Sequence, residues 1–167
     1  NSSVRQILRS RARYEVANSS LARGILLTLA NDVVGPGPRL QLNTDDDELN
    51  RFVEAEFTAW ARATDLAGKL RTMRLARAQD GEAFGLMVTN PRLPAAVKLD
   101  VQLIEADRVA TPGFSSVLKP NETVDGIVLD EYGNPTEYHV LRKHPGHMTF
   151  DLSGLEEVDA VSAAAVL

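Results

Sequence analysis

The chain has 167 residues, of which 44% are apolar and 25% are charged, and its formal net charge at pH 7 is −5. This length accommodates a domain with its own hydrophobic core, and the composition is that of a folded globular protein. The absence of cysteine excludes disulfides and thiolate chemistry, and the most apolar run, residues 21–34, is too short and too polar to span a bilayer.

Charge is distributed in blocks along the chain. Residues 1–40 carry a net charge of +4, residues 41–60 carry −5, residues 61–79 carry +4 and residues 80–167 carry −8. Blocks of opposite sign predict separate surfaces with separate partners, whereas the simpler interpretation is that they are solvated helix faces.

Residues 4–18 have the periodicity of an α-helix with two parallel stripes. One stripe has an apolar residue at every fourth position, namely Val4, Leu8, Ala12 and Val16. The other stripe is basic and consists of Arg5, Arg9 and Arg13. Such a stripe contacts phosphates, an acidic neighbour or solvent, and the absence of interleaved aromatic residues weakens the nucleic-acid interpretation.

A second helix is predicted over residues 21–34, with Ser19 or Ser20 as its N-cap. Because nine of its fourteen residues are apolar, we expect this helix to be buried on most sides. Gly35 fits the position after the last helical residue, and the proline that follows prevents continuation. Residues 39–42 are a candidate short strand.

Thr44 is predicted to cap a third helix whose first turn is acidic, which suits the helix dipole. The acidic residues are Asp45, Asp46, Asp47 and Glu48. They lack the glycine and the ligand spacing of a calcium loop. The helix then has the clearest amphipathic pattern in the chain, formed by Leu49, Phe52, Val53, Phe57, Trp60 and Ala61. We expect Trp60 to lie in the core.

A fourth helix is predicted over residues 69–79, separated from the third by Gly68. Its expected inward face consists of Leu70, Met73 and Ala76, and its expected outward row consists of Arg71, Arg74 and Arg77. Asp80 and Gly81 end this helix.

Residues 82–89 and 97–103 have the period-two alternation of strands. In the second of these segments we expect Leu99 and Val101 to be buried. Residues 125–141 predict a β-hairpin, with a turn that contains Gly133 and Asn134, two residue types that tolerate positive φ.

The remaining segments have weaker patterns. Residues 105–123 are rich in turn residues and predict a mobile loop, and a further loop or short strand is predicted near residues 148–152. The apolar tail, residues 158–167, is expected to lack its natural partner in this chain. Together the elements predict an α+β fold, with four helices followed by a mostly antiparallel sheet of four to six strands.

Few side chains are placed for chemistry. The three histidines, His139, His144 and His147, lack the spacing of a metal site. Asp80 and Glu82 straddle a glycine, and paired carboxylates can act in acid–base catalysis, but a helix-to-strand junction accounts for the same residues. We therefore predict no catalytic residue, no metal and no cofactor.

Four segments carry a family resemblance when they are taken in order. They are residues 11–38 (RARYEVANSSLARGILLTLANDVVGPGP), 78–88 (AQDGEAFGLMV), 99–108 (LDVQLIEADR) and 125–141 (DGIVLDEYGNPTEYHVL). This series resembles the lambda type of tailed-phage portal proteins. The resemblance implies a single wing-like α+β domain, helical over about residues 1–80 and β-rich over about residues 81–167, and an N-terminal fragment of a longer chain.

The resemblance also implies a function and partners. Portal proteins form a homo-oligomeric ring, commonly of about twelve subunits, at one vertex of the phage head. The ring conducts double-stranded DNA and contacts terminase, capsid and head–tail connector proteins. The implied location is the virion, after assembly in the host cytoplasm, with no membrane partner. This segment is expected to contact little DNA.

Candidate subunit contacts follow from that picture. They are the basic residues Arg5, Arg9, Arg13, Arg71, Arg74 and Arg77 and the acidic residues Asp45, Asp46 and Asp47. The structural turns are placed at Gly35, Gly81, Gly133 and Asn134. Two other functions remain open on the residues alone: a nucleic-acid-binding module that uses the arginine-striped helices, and a small hydrolase that uses the paired carboxylates or the histidines.

Overall fold

The computed structural model describes residues 2–111, 123–146 and 157–167. These residues contain four α-helices and six β-strands with antiparallel pairing, which confirms the predicted α+β class. The loop or short strand predicted near residues 148–152 and most of the loop predicted over residues 105–123 lie outside the described residues. No helix in the described ranges is both long enough and apolar enough to cross a membrane.

The described residues fall into two compact units. The first consists mainly of residues 3–83 and 87–103, and the second mainly of residues 84–86 and 104–167. The helices of the first unit are α1 (Ser2–Asn18), α2 (Ser20–Val34), α3 (Asp47–Ala63) and α4 (Leu66–Asp80). The strands are β1 (Phe84–Thr89), β2 (Leu99–Ile104), β3 (Thr123–Val124), β4 (Ile127–Leu129), β5 (Pro135–Leu141) and β6 (Val158–Ser162).

Helix α2 begins and ends where local chemistry predicts. The Ser19 hydroxyl accepts a hydrogen bond from the backbone N–H of Ala22 at 3.3 Å, and Gly35 ends the helix with a φ of 53°. The expectation that α2 is buried on most sides is wrong, because Ala30 is its one fully buried residue. Leu21 and Ile25 are 73% and 59% exposed, since packing against α4 covers one side of the helix.

Helix α3 is capped by Asp46 rather than by Thr44. The Asp46 carboxylate accepts hydrogen bonds from the backbone N–H groups of Glu48 and Leu49 at 3.0 and 2.9 Å. The Thr44 hydroxyl donates instead to the side-chain oxygen of Asn50 at 2.6 Å. A charged acceptor therefore takes the capping position, while the Thr44 hydroxyl is engaged by Asn50.

The boundary between α3 and α4 lies at Asp65 and not at Gly68. Asp65 has a φ of 50°, in the left-handed region that interrupts a helix, and Gly68 lies inside α4. A Cβ atom on Gly68 would overlap the carboxylate of Asp65. The glycine is therefore explained by the space that this carboxylate needs, rather than by a turn.

Strands β1 and β2 form a two-stranded sheet. Val101 is buried as predicted, with 8% exposure, but Leu99 is 40% exposed, so its predicted burial is wrong. Residues 39–42 form no strand, because the backbone N–H of Leu42 donates to the Glu54 carboxylate at 2.9 Å rather than to a ladder.

A salt bridge between Lys69 on α4 and Asp100 on β2 joins these two elements within the first unit. The Lys69 ammonium donates to Asp100, and the Asn90 side-chain amide donates to the other carboxylate oxygen at 3.0 Å. The hydrogen bonds from Lys69 and Asn90 hold the pKa of Asp100 below its ordinary value. Asp100 is thus ionised in the folded chain at neutral pH, which favours the pairing.

In the second unit, four strands pair antiparallel in the order β3-β4-β5-β6. The predicted hairpin is confirmed as β4 and β5. The expected isolation of the apolar tail is wrong, because β6 pairs with β5 and the backbone N–H groups of Gly85 and Leu167 donate to each other's carbonyls at 3.2 and 2.7 Å.

The core of the second unit surrounds Phe84 and Val140. Its buried residues are Phe84, Ile104, Ala106, Val109 and Val140. The rings of Phe84 and Tyr138 meet edge to face, with centroids 5.8 Å apart, a geometry that aromatic pairs prefer. Gly126 has a φ of 83°, and a Cβ there would meet the Ala110 backbone at 2.6 Å, so only glycine fits between β3 and β4.

The difference in burial between Val101 and Leu99 on β2 is testable. We expect Val101→Asp to lower the free energy of unfolding by about 3 kcal/mol or more, because it places an unpaired carboxylate in a buried position. Leu99→Asp is the matched control, and we expect it to cost about 1 kcal/mol, since its carboxylate can reach water. Urea unfolding followed by circular dichroism measures both, and equal losses would contradict the burial difference.

Candidate subunit-contact surfaces

The basic stripe of α1 is paired inside the first unit. The Arg5 guanidinium donates to both carboxylate oxygens of Glu82 at 2.5 and 2.6 Å, and the Arg9 guanidinium donates to the same carboxylate. Arg9 is only 7% exposed. One carboxylate thus pairs with two cations, one of which is removed from water, where an unpaired charge would be costly.

The third arginine of the stripe, Arg13, pairs with Asp80. Arg13 donates from Nε and Nη2 to the two oxygens of Asp80 at 2.9 and 2.6 Å. This bidentate geometry is favoured between guanidinium and carboxylate groups. Among the alternatives for the stripe, the structure therefore selects an acidic neighbour. The two carboxylates weighed as an acid–base pair, Asp80 and Glu82, are both occupied by guanidinium groups.

The arginine row of α4 does not point uniformly outward as expected. Arg71 donates to the backbone carbonyl of Gly35 at 3.1 Å, and Arg71 and Arg74 are half-buried, whereas Arg77 is exposed. The Nε atoms of Arg71 and Arg74 are buried and have no hydrogen-bond partner among the described residues. The outward expectation is wrong for these two because α4 packs against α2 and α3.

The acidic start of α3 remains on the surface. Asp45, Asp46 and Asp47 are all exposed. Asp46 caps the helix, and none of the three forms an ion pair within the described part of the chain. Their negative charge is thus available to a partner.

The predicted turn residues act either through a positive φ or through side-chain hydrogen bonds. Gly35, Gly81 and Gly133 have φ values of 53°, 87° and 83°, a region that favours glycine. Asn134 works differently, because its backbone and side-chain N–H groups donate to the Asp130 carboxylate at 2.7 and 3.0 Å. These hydrogen bonds lower the pKa of Asp130 below its ordinary value.

The histidines have separate surroundings. His139 is buried on β5, with 3% exposure, whereas His144 is half-buried and its Nε2 lies 3.1 Å from Glu105 Oε2. His147 lies outside the described residues. Within residues 2–111, 123–146 and 157–167, no group of three or more His, Asp and Glu side chains is arranged to hold a metal ion.

An apolar groove of about 310 Å³ lies along α3. Trp60 forms part of its wall and is held there by a hydrogen bond from its indole N–H to the backbone carbonyl of Leu99 at 2.7 Å. The expectation that Trp60 lies in the core is therefore wrong, because it is half-buried at the edge of this groove. The groove is lined by Leu40, Val53, Glu56, Phe57, Trp60, Ala96, Val97 and Leu99.

A second apolar surface covers the outer side of α1. It consists of Val4, Ile7, Leu8 and Tyr14, which are 49%, 51%, 59% and 69% exposed. The arginines of this helix face its carboxylate partners, so the apolar residues on the other side face solvent. Helical periodicity alone predicted neither surface, because it shows which apolar residues share a face and not what covers that face.

Comparison with known proteins places the chain in context. Residues 2–167 match the family model described as phage portal protein, lambda family. A protein of Halomonas phage phiHAP-1, named a probable portal protein, is 29% identical over an alignment that covers 84% of this chain and 30% of the relative. The chain thus spans about a third of the length of that relative.

The salt bridges of Glu82 with Arg5 and Arg9 can be tested by substitution. We expect Glu82→Gln to lower the free energy of unfolding by about 3 kcal/mol, because Arg9 then keeps its buried charge without the carboxylate. Glu131→Gln is the matched control, since Glu131 is exposed in the hairpin turn and its change should cost less than about 0.5 kcal/mol. Denaturant unfolding compares the two, and similar small losses would contradict the pairing.

Proposed function

The chain belongs to the lambda family of phage portal proteins, and we propose that it is the peripheral wing region of a portal subunit at the vertex of the phage head. The observation that carries this proposal is the family match over residues 2–167. The α+β organisation agrees with it, since helices precede the antiparallel strands in the order that the resemblance implies.

In this proposal, the assembled subunits form a closed homo-oligomeric ring of about twelve copies, the usual number for portals. Double-stranded DNA passes through the central channel during packaging and ejection. Terminase docks on the ring and supplies the ATP hydrolysis, so the subunit itself is a structural protein. Capsid and head–tail connector proteins are its other partners, and assembly in the host cytoplasm precedes incorporation into the virion.

Two charged surfaces of the first unit support a role in ring contacts. The exposed carboxylates Asp45, Asp46 and Asp47 have no ion-pair partner among the described residues, and α4 carries Arg71, Arg74 and Arg77. A closed ring uses a heterologous interface, in which two different patches of each subunit meet. We therefore propose that the acidic start of α3 meets the α4 arginine row of a neighbouring subunit through its exposed member Arg77, since Arg71 and Arg74 are half-buried.

The pairing of the α1 stripe argues for an architectural role over a DNA-binding role. Arg5, Arg9 and Arg13 are the most regular basic stripe in the chain, and all three are paired internally with Asp80 or Glu82. Affinity for the DNA backbone depends on cations that are free to displace counterions. The same two carboxylates are held by these salt bridges, which weighs against a hydrolase that uses them.

Ring formation is the direct test of the proposed function. The polypeptide encoded by the complete reading frame should form closed rings with a central opening, as seen by negative-stain electron microscopy and by light scattering on a sizing column. Residues 1–167 alone should be monomeric or weakly associated, because the ring also needs the channel-lining region. A monomeric product of the complete reading frame would contradict the proposal.

DNA binding tests the architectural role separately. We expect this chain to bind duplex DNA with a dissociation constant of roughly 10⁻⁴ M at physiological salt, the weak end of non-specific binding, because its net charge is −5 and its α1 arginines are paired. Fluorescence anisotropy of a labelled duplex across a salt series measures this. Submicromolar binding with a steep salt dependence would favour the nucleic-acid-binding module instead.

A further inference from the structure

The first unit exposes two apolar surfaces that differ in shape. The outer face of α1 is convex, since it is one side of a helix, and it comprises Val4, Ile7, Leu8 and Tyr14. The α3 groove is concave, with a volume of about 310 Å³. Contiguous exposed apolar patches of this kind mark interaction sites, because leaving them in water is unfavourable.

The outer face of α1 is oriented by the salt bridges on the opposite side of the helix. Arg9 is 7% exposed and pairs with Glu82, so α1 cannot rotate to bury Leu8 without removing a guanidinium group from its carboxylate. The spacing of the outer apolar residues is that of one helix side. Position 11 falls on the same side and carries Arg11, which is exposed.

The α3 groove matches this face in chemistry. Its apolar lining includes the aromatic rings of Phe57 and Trp60, whose centroids are 5.6 Å apart. Glu56 is the one charged residue in the lining of the groove, and it is exposed. A helix that lays an apolar side into an apolar groove is a common mode of recognition.

The charges of the two surfaces are complementary. Arg11 lies amid the apolar residues of α1, and Glu56 lies amid those of the groove. Neither side chain has an ion-pair or hydrogen-bond partner within the described ranges. One unpaired cation within the apolar face of α1 and one unpaired anion in the lining of the α3 groove define a register for contact.

We propose that the outer face of α1 of one subunit docks in the α3 groove of a neighbouring subunit, with Arg11 opposite Glu56. This inference rests on the proposed function, since it concerns the contact that closes the portal ring. Every subunit carries one face and one groove, so the contact is heterologous and can be repeated around a ring. A symmetric contact of two α1 faces would instead bring Arg11 against Arg11.

Charge exchange is the first test, made in the polypeptide encoded by the complete reading frame. We expect Arg11→Glu and Glu56→Arg each to weaken ring assembly by about tenfold or more, because each brings like charges together. The double variant should restore assembly, since the pair is then reversed. Light scattering as a function of protein concentration measures the effect.

The control is Arg23→Glu, which changes an exposed arginine on α2 and should leave assembly unchanged. Arg11 and Glu56 are both exposed, so thermal unfolding should be alike for all four variants and separates assembly from folding. Failure of the double variant to recover, or unimpaired assembly of both single variants, would overturn the proposal.

Cross-linking is the second test; residues 1–167 contain no cysteine, and any cysteine elsewhere in the complete polypeptide is first replaced by serine. Leu8→Cys and Val97→Cys subunits with different tags, co-assembled and oxidised, should form a disulfide between the two kinds of subunit. Both positions are exposed, at 59% and 56%. Pairs of Leu8→Cys subunits joined to each other, or rings without any cross-link, would overturn the docking, whereas absence of rings from the unaltered protein would overturn the proposed function instead.

Discussion

The salt bridges between α1 and the acidic pair at the end of α4 are the constraint on which the first unit depends. Arg5, Arg9 and Arg13 reach carboxylates that lie 67 to 77 positions away in the chain. Because Arg9 is nearly buried, its charge must be paired where it lies. The pairing thus fixes both the position of α1 and its rotation about its own axis.

That rotation decides the character of the surface. With the arginines turned inward, the apolar side of α1 faces outward, which reverses the usual arrangement of an amphipathic helix. The α3 groove, walled by Phe57, Trp60 and Val97, adds a second apolar surface. A domain that pairs its own regular basic stripe internally and exposes apolar surface is better suited to protein contacts than to binding DNA, which agrees with the proposed function.

Local signals predicted the elements well, and their errors have local causes. The hairpin was predictable because Gly133 and the proline after Asn134 force a turn between alternating strands. The cap of α3 was misplaced by two residues, since Thr44 and Asp46 are both good N-caps and the choice depends on the Asn50 side chain that engages Thr44. Gly68 was mistaken for a break because its actual reason, the Asp65 carboxylate beside it, is a contact in space.

The sequence by itself determined the α+β class, the four helices, the hairpin and the family, since these depend on periodicity, turn chemistry and residue order. Only the tertiary structure decided which stripe of α1 faces inward and which of Leu99 and Val101 is buried. The physical reason is that periodicity shows which residues share a face, whereas burial depends on what covers that face. For α1, distant carboxylates attract the arginine face; for β2, packing covers Val101 and leaves Leu99 at the open groove.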